Sequence, residues 1–190
     1  PNHLMGLVNS RFMIFDKNGN VLKTITAASW LNALGSLNGP IGDPQVLYDH
    51  FANRWVMLWM TNPTATEHSH IFCVSDDNNP LGTWYQWKTP STTLGDSATT
   101  NWGDYPQLGY DSLALYLTSR QFGPLPGGTR RYMKVRIVPK AQLYANTAGP
   151  IAWNDLWDLR DPDDPTVAPD GVVPSIIYGN PSACFLVNDS

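Results

Sequence analysis

The chain has 190 residues, a length suited to one domain, with 12 Lys plus Arg against 16 Asp plus Glu and a formal net charge of −4. Charged residues are only 15% of the chain and Glu67 is the only glutamate, while Gly (15), Pro (16), Trp (8) and Tyr (8) are plentiful. That balance excludes a helical bundle, a phosphate-binding basic surface and, with two cysteines, a disulfide scaffold; no run of about 18 apolar residues offers a membrane span. With Pro1 at its start and no signal-peptide pattern, the chain is expected to be a processed product or a piece of something longer. In chain order, strands are expected at 3–9, 11–16 and 21–26, with Asp16-Lys17-Asn18-Gly19-Asn20 as a tight hairpin. A second group follows at 45–49, 54–61, 70–75 and 83–88, joined by turn-rich segments 49–53, 62–69 and 76–82. A third group runs through 107–111, 114–119 and 131–138, then one helical turn at 139–144 and a strand near 151–159. The Asp- and Pro-rich stretch 158–170 reads as an exposed loop, and apolar strands return at 172–177 and 183–187.

A repeat organises these elements. Gly42-Asp43-Pro44-Gln45-Val46-Leu47-Tyr48-Asp49 returns as Gly103-Asp104-Tyr105-Pro106-Gln107-Leu108-Gly109-Tyr110-Asp111, and more faintly as Asp170-Gly171-Val172-Val173-Pro174. Each copy precedes an apolar strand. A four-stranded unit recurring at about 45–65 residues, unable to bury both faces alone, is the pattern of a β-propeller blade. A β-sandwich also has many short strands, but does not require similar sequence at the start of every fourth one. The expectation is therefore an all-β protein, a β-propeller of four-stranded antiparallel blades. It divides as the end of one blade (1–40), two full blades (41–100 and 101–165) and the start of another (166–190). About three blade-equivalents make this part of a larger ring, whose remainder would be further polypeptide or another chain.

The run Val8-Asn9-Ser10, Ile14-Phe15-Asp16-Lys17, Gly42-Asp43-Pro44, Tyr48-Asp49, Asn53-Arg54-Trp55, Val74-Ser75-Asp76, Pro80-x-Gly82-x-Trp84 and Asp104-Tyr105-Pro106 resembles a group of secreted bacterial β-propeller proteins, mostly described by fold alone. The resemblance implies an exported, extracellular or cell-surface propeller and carries no activity. Ser75-Asp76-Asp77-Asn78-Asn79-Pro80-Leu81-Gly82-Thr83-Trp84 is similar to a turn of five-bladed propeller glycosidases and, with two extra residues, to the Asp-box of sialidases. In both families that turn is structural. The glycosidases use an Asp base, a second Asp and a Glu acid. Asp43 maps onto one of the first two, and only Glu67 is present to serve as the acid.

Several residues are candidates for chemistry. Alternating strand direction places Asp43, Asp104 and Asp170, at the starts of innermost strands, on one face with the loop carrying Glu67 and His68. Such carboxylates can cleave a glycosidic bond, bind a ligand or Ca²⁺, or cap their own strands. Their recurrence favours capping, because a catalytic acid is needed once. Glu67-His68-Ser69-His70 puts two His on one strand face, as some metal sites require, but reads better as a solvated hairpin tip. Asp161, Asp163 and Asp164 offer oxygen ligands suited to Ca²⁺. Trp84-Tyr85-Gln86-Trp87 and Trp153-Asn154-Asp155-Leu156-Trp157 can leave rings outward for sugars, or bury them between sheets. Cys73 and Cys184 read as small buried thiols. The function expected is an extracellular binding or structural module for carbohydrate or protein. The alternative is a propeller-type glycoside hydrolase using these carboxylates.

Overall fold

In the computed structural model, which describes residues 1–35, 37, 39–62, 68–179 and 182–188, strands and tight turns account for nearly all regular structure. β1 (His3–Val8), β2 (Arg11–Asp16) and β3 (Val21–Thr26) form an antiparallel sheet in that order. The Asn-Gly turn forms as expected: Gly19 has φ 87°, and the Asp16 carboxylate accepts the N–H groups of Asn18 and Asn20. Thr26 caps the short helix α1 (Ala27–Trp30), which with a 3₁₀ turn at Asn32–Leu34 leads into the second sheet.

That sheet pairs β4 (Ile41–Asp49), β5 (Arg54–Thr61), β6 (Ser69–Ser75) and β7 (Trp84–Pro90) in sequence order, all antiparallel. Its middle strands are covered on both faces, which is why they read as almost unbroken apolar runs. Met57, Trp59, Ile71 and Cys73 pack with Phe12, Ile14, Ala27 and Leu31 on one side. Val56, Leu58, Phe72, Val74 and Trp87 pack with Leu108, Tyr110, Leu115, Leu117 and Leu143 on the other. A small hairpin of β8 (Thr93–Leu94) and β9 (Ser97–Ala98) follows.

The third sheet repeats the order with β10 (Trp102–Tyr110), β11 (Ala114–Phe122), β12 (Arg130–Pro139) and β13 (Asn154–Trp157); the expected helical turn is α2 (Lys140–Leu143) between the last two. β13 is shorter than the expected strand because Ile151 and Trp153 turn into the core instead of pairing. β14 (Val172–Pro174) and β15 (Leu186–Asn188) form a last two-stranded ladder. Cys73 is buried within β6, but Cys184 precedes β15 and is only half-buried, near Asp111 and Tyr116 at the β10–β11 turn; both thiols are free. The first strands β1, β4, β10 and β14 lie side by side in that order, and among the described residues no sheet closes on itself.

The repeated Tyr-Asp pair at the far ends of β4 and β10 ties the second and third sheets together. Asp49 is fully buried, pairs with Lys140 Nζ at 2.6 Å and accepts the Tyr144 hydroxyl at 2.6 Å. Lys140 also donates to the carbonyl of Asp111, and its ammonium lies 4.6 Å from the centre of the Tyr110 ring. Burial, then hydrogen bonding to Asp49, holds the Tyr144 hydroxyl far above its usual range. The Asp111 carboxylate accepts Leu113 and Ala114 N–H groups and so shapes the β10–β11 turn.

Candidate binding cleft

Proline has no N–H to give to a ladder, so a proline within a paired strand calls for a bulge. β4 and β10 each contain one. Pairing in β4 passes from Gly42 opposite Met60 to Gln45 opposite Leu58; in β10 it passes from Asp104 opposite Arg120 to Gln107 opposite Thr118. The residues before the prolines take left-handed backbone angles, φ 44° at Asp43 and 51° at Tyr105. Non-glycine residues rarely adopt this region, at a cost on the order of 1 kcal/mol, and such bulges re-aim side chains at sheet rims.

The register corrects the alignment by letters. Asp43 and Tyr105 are structural equivalents, as are Gly42 and Asp104; Asp43 and Asp104 are not. The expected ring of equivalent carboxylates is therefore absent among the described residues, and the recurrence that favoured capping does not hold. The Pro in each repeat carries the better signal, because counting back one residue from Pro44 and Pro106 finds the matched pair directly.

The two bulges and the β1–β2 turn enclose an open cleft of about 610 Å³. Asp43-Pro44-Gln45 forms one wall and Tyr105-Pro106-Gln107 another, with Asn9 and Ser10 from the first sheet between. Asn9 Oδ1 accepts the Asp43 N–H at 3.2 Å, which fixes the turn against the bulge. Tyr105 is 51% exposed, and the Arg120 guanidinium lies 4.9 Å from its ring centre on β11. Burial, followed by the charge of Asp104, raises the Asp43 carboxyl above its ordinary value. The cleft thus offers a ring face, side-chain amides, a hydroxyl and one carboxylate with weakened acidity.

The other sequence-predicted residues are scattered. Asp104 sits beside this cleft, and its carboxylate accepts the Tyr105 N–H at 2.9 Å, a local bond of the capping kind. Asp170 lies outside the cleft lining, mostly exposed, between Arg130 at 3.3 Å and Arg120 at 3.8 Å. Glu67 lies outside the described residues. His68 and His70 are buried rather than at a solvated hairpin tip, because β6 begins at Ser69 and its start, with His68 just before it, lies between the second and third sheets. His68 is therefore not in the cleft. Asp161 accepts the N–H groups of Asp163 and Asp164, and Asp164 the N–H and hydroxyl of Thr166, so these carboxylates shape their own loop. No group of three or more His, Cys, Asp or Glu side chains able to hold a metal occurs among the described residues.

The Ser75–Trp84 turn is structural. Asp77 accepts from Asn79 N–H, Asn79 from Leu81 N–H, and the Trp84 indole donates to the Pro80 carbonyl while its ring meets Trp30 edge to face. Trp87 is buried, Trp84, Tyr85 and Trp153 are half-buried, and Trp157 is exposed. The ring that faces the cleft is Tyr105, which had no place among the expected aromatic platforms. No protein-family model, curated protein or solved structure matches the chain.

Proposed function

We propose that the chain is a carbohydrate-binding module whose site is the cleft between the two proline bulges. The observation that carries this reading is the doubled triplet, Asp43-Pro44-Gln45 facing Tyr105-Pro106-Gln107, which sets an exposed, cation-backed ring beside two amides and a carboxylate. Sugars present apolar C–H faces and rings of hydroxyls, which fit an aromatic face and amide donors and acceptors. The side-by-side first strands and the repeated four-stranded sheets support reading each sheet as a propeller blade and the cleft as the mouth of its axis. On that reading the chain is an exported module that works with the rest of the ring, as its resemblance to secreted propellers implies, and any bound ion there is Ca²⁺.

The test is titration of the protein with soluble arabinan, xylan and β-glucan oligosaccharides. Tyr105→Ala is expected to weaken the best binder about tenfold, near 1.4 kcal/mol, with the melting temperature unchanged. Unaltered affinity in Tyr105→Ala and Gln107→Ala overturns the site. The raised pKa of Asp43, caused by burial and then by the charge of Asp104, favours a second reading, glycoside hydrolysis with Asp43 as proton donor. Release of reducing ends that Asp43→Asn abolishes, with binding retained, selects that reading.

A further inference from the structure

A second group of polar side chains lies in the seam between β6 and the third sheet. His68, just before β6, and His70, within it, meet edge to face with ring centres 5.8 Å apart. The His68 ring also lies 5.4 Å from that of Trp102, and its Nδ1 bonds the Ser91 hydroxyl. Among the described residues, Lys134 and Arg136 of β12 and Asp155 of β13 are the charged groups of the seam. Lys134 Nζ donates to the carbonyls of Ser91 at 2.6 Å and Thr93 at 2.8 Å. Arg136 holds both oxygens of Asp155, at 2.8 and 2.9 Å. Gly103 brings the β10 backbone so close that a Cβ there would stand 2.6 Å from Gln121 Nε2, 2.9 Å from Ser119 Oγ and 3.1 Å from His70 Cε1.

His68 Nε2 and Gln121 Oε1 are buried without hydrogen-bond partners, and the Gly103 backbone beside the His70 ring makes no well-formed hydrogen bond to either of its nitrogens. A neutral imidazole tolerates this arrangement. An imidazolium does not, because it adds a buried N–H and a charge beside two cations, while the one carboxylate of the seam among the described residues is already engaged by Arg136. We propose that His68 and His70 form a proton-operated latch: at neutral pH the rings hold the second and third sheets together, and acidification parts β6 from β10 and releases Trp102-Gly103-Asp104 at the edge of the cleft. The latch does not depend on what the cleft binds. Burial, then Lys134, lowers the His68 ring to about 4, and burial, then His68, Lys134 and Arg136, hold His70 well below its usual range against the smaller opposing pull of the Gly103 backbone. Folded values lie below the unfolded one of about 6.5, so this contribution is complete above pH ~6.5 and is lost as pH falls toward ~4.

Hydrogen exchange, corrected for its intrinsic pH dependence, tests the latch on the intact chain. The Ser91 N–H, bonded to the His68 carbonyl, and the Gly103 N–H, bonded to Ser91 Oγ, report on the seam. Their protection is expected to fall at least tenfold between about pH 6.5 and 4.5, while β1–β2 amides keep theirs. A His68→Gln, His70→Gln variant is expected to show no such fall. Should that variant not fold, the ring resonances of the wild-type protein decide: protonation of His68 and His70 is to coincide with loss of the Ser91 and Gly103 protection. Ring protonation without loss of protection, unchanged protection down to about pH 4, or simultaneous loss throughout the chain overturns the proposal.

Discussion

Two aspartates only six residues apart in β4 do opposite work. Asp49 is buried against Lys140, so Asp49→Asn strands an ammonium among Phe51, Tyr110 and Tyr144 and is expected to cost about 3 kcal/mol in urea unfolding. Asp43 is partly desolvated beside Asp104, and its pKa is raised above the unfolded value, so its charge opposes folding at neutral pH. Asp43→Asn is therefore expected to leave the melting temperature unchanged or raise it. A marked fall would make Asp43 a structural cap, as the recurrence of letters implied. Gly109 is a third informative position: an added Cβ would lie 2.6 Å from the Pro174 carbonyl oxygen, where backbone rather than a mobile side chain must move. Gly109→Ala is expected to cost about 1–3 kcal/mol by forcing β14 away from β10, measurable in the same unfolding series. The importance of Asp49 was partly legible, since Tyr-Asp recurs in both repeats. Its partner was not, because Lys140 lies 91 residues on and only the packing of α2 brings it back.

At the scale of elements, periodicity and turn chemistry located most strands. β2, β3 and β5 have the expected bounds, and the largely apolar runs of β5 and β6 lie in a sheet covered on both faces. The bulges of β4 and β10 were less legible, because the repeat marks Asp and Pro alike and only the ladder shows that the proline sits at the register shift. The polar seam was hidden for a different reason: Glu67-His68-Ser69-His70 has the composition of a turn, and nothing local shows that two sheets close over His68 and His70. Lys134 makes that seam measurable at alkaline pH as well. Burial, then Arg136, lowers its ammonium to about 7, below the unfolded value of about 10.4. The unfolded chain therefore binds more protons between these values, and stability is expected to rise from pH ~7 toward ~10. Urea midpoints across that range check the sign. Lys134→Met is expected to flatten the rise, and an equal rise in the variant would assign it to other groups.

For the whole molecule, the unresolved balance lies at the two outer sheets. A sheet with one face in water ordinarily alternates apolar and polar residues, but the first sheet carries apolar side chains outward as well as inward. Leu4, Val8, Val21 and Leu22 are exposed on it, while Phe12 and Ile14 fill the core. The last ladder does the same, with Val173 paired to Val187 and Phe185 beside them, all exposed. Burying such a face at about 25 cal/mol per Å² yields several kcal/mol, comparable with the net stability of a domain. Since each inner sheet already stacks by this kind of contact, the isolated chain is expected to associate through its outer faces as concentration rises. Light scattering over a hundredfold dilution would show it. Val8→Lys with Val21→Lys at one end, or Val173→Lys with Val187→Lys at the other, is expected to restore a monomer if unlike ends meet. If like ends meet, only one of the two pairs will do so. A monodisperse wild-type monomer at every concentration, unfolding cooperatively, would mean that the exposed residues are tolerated singly and that neither face is an interface.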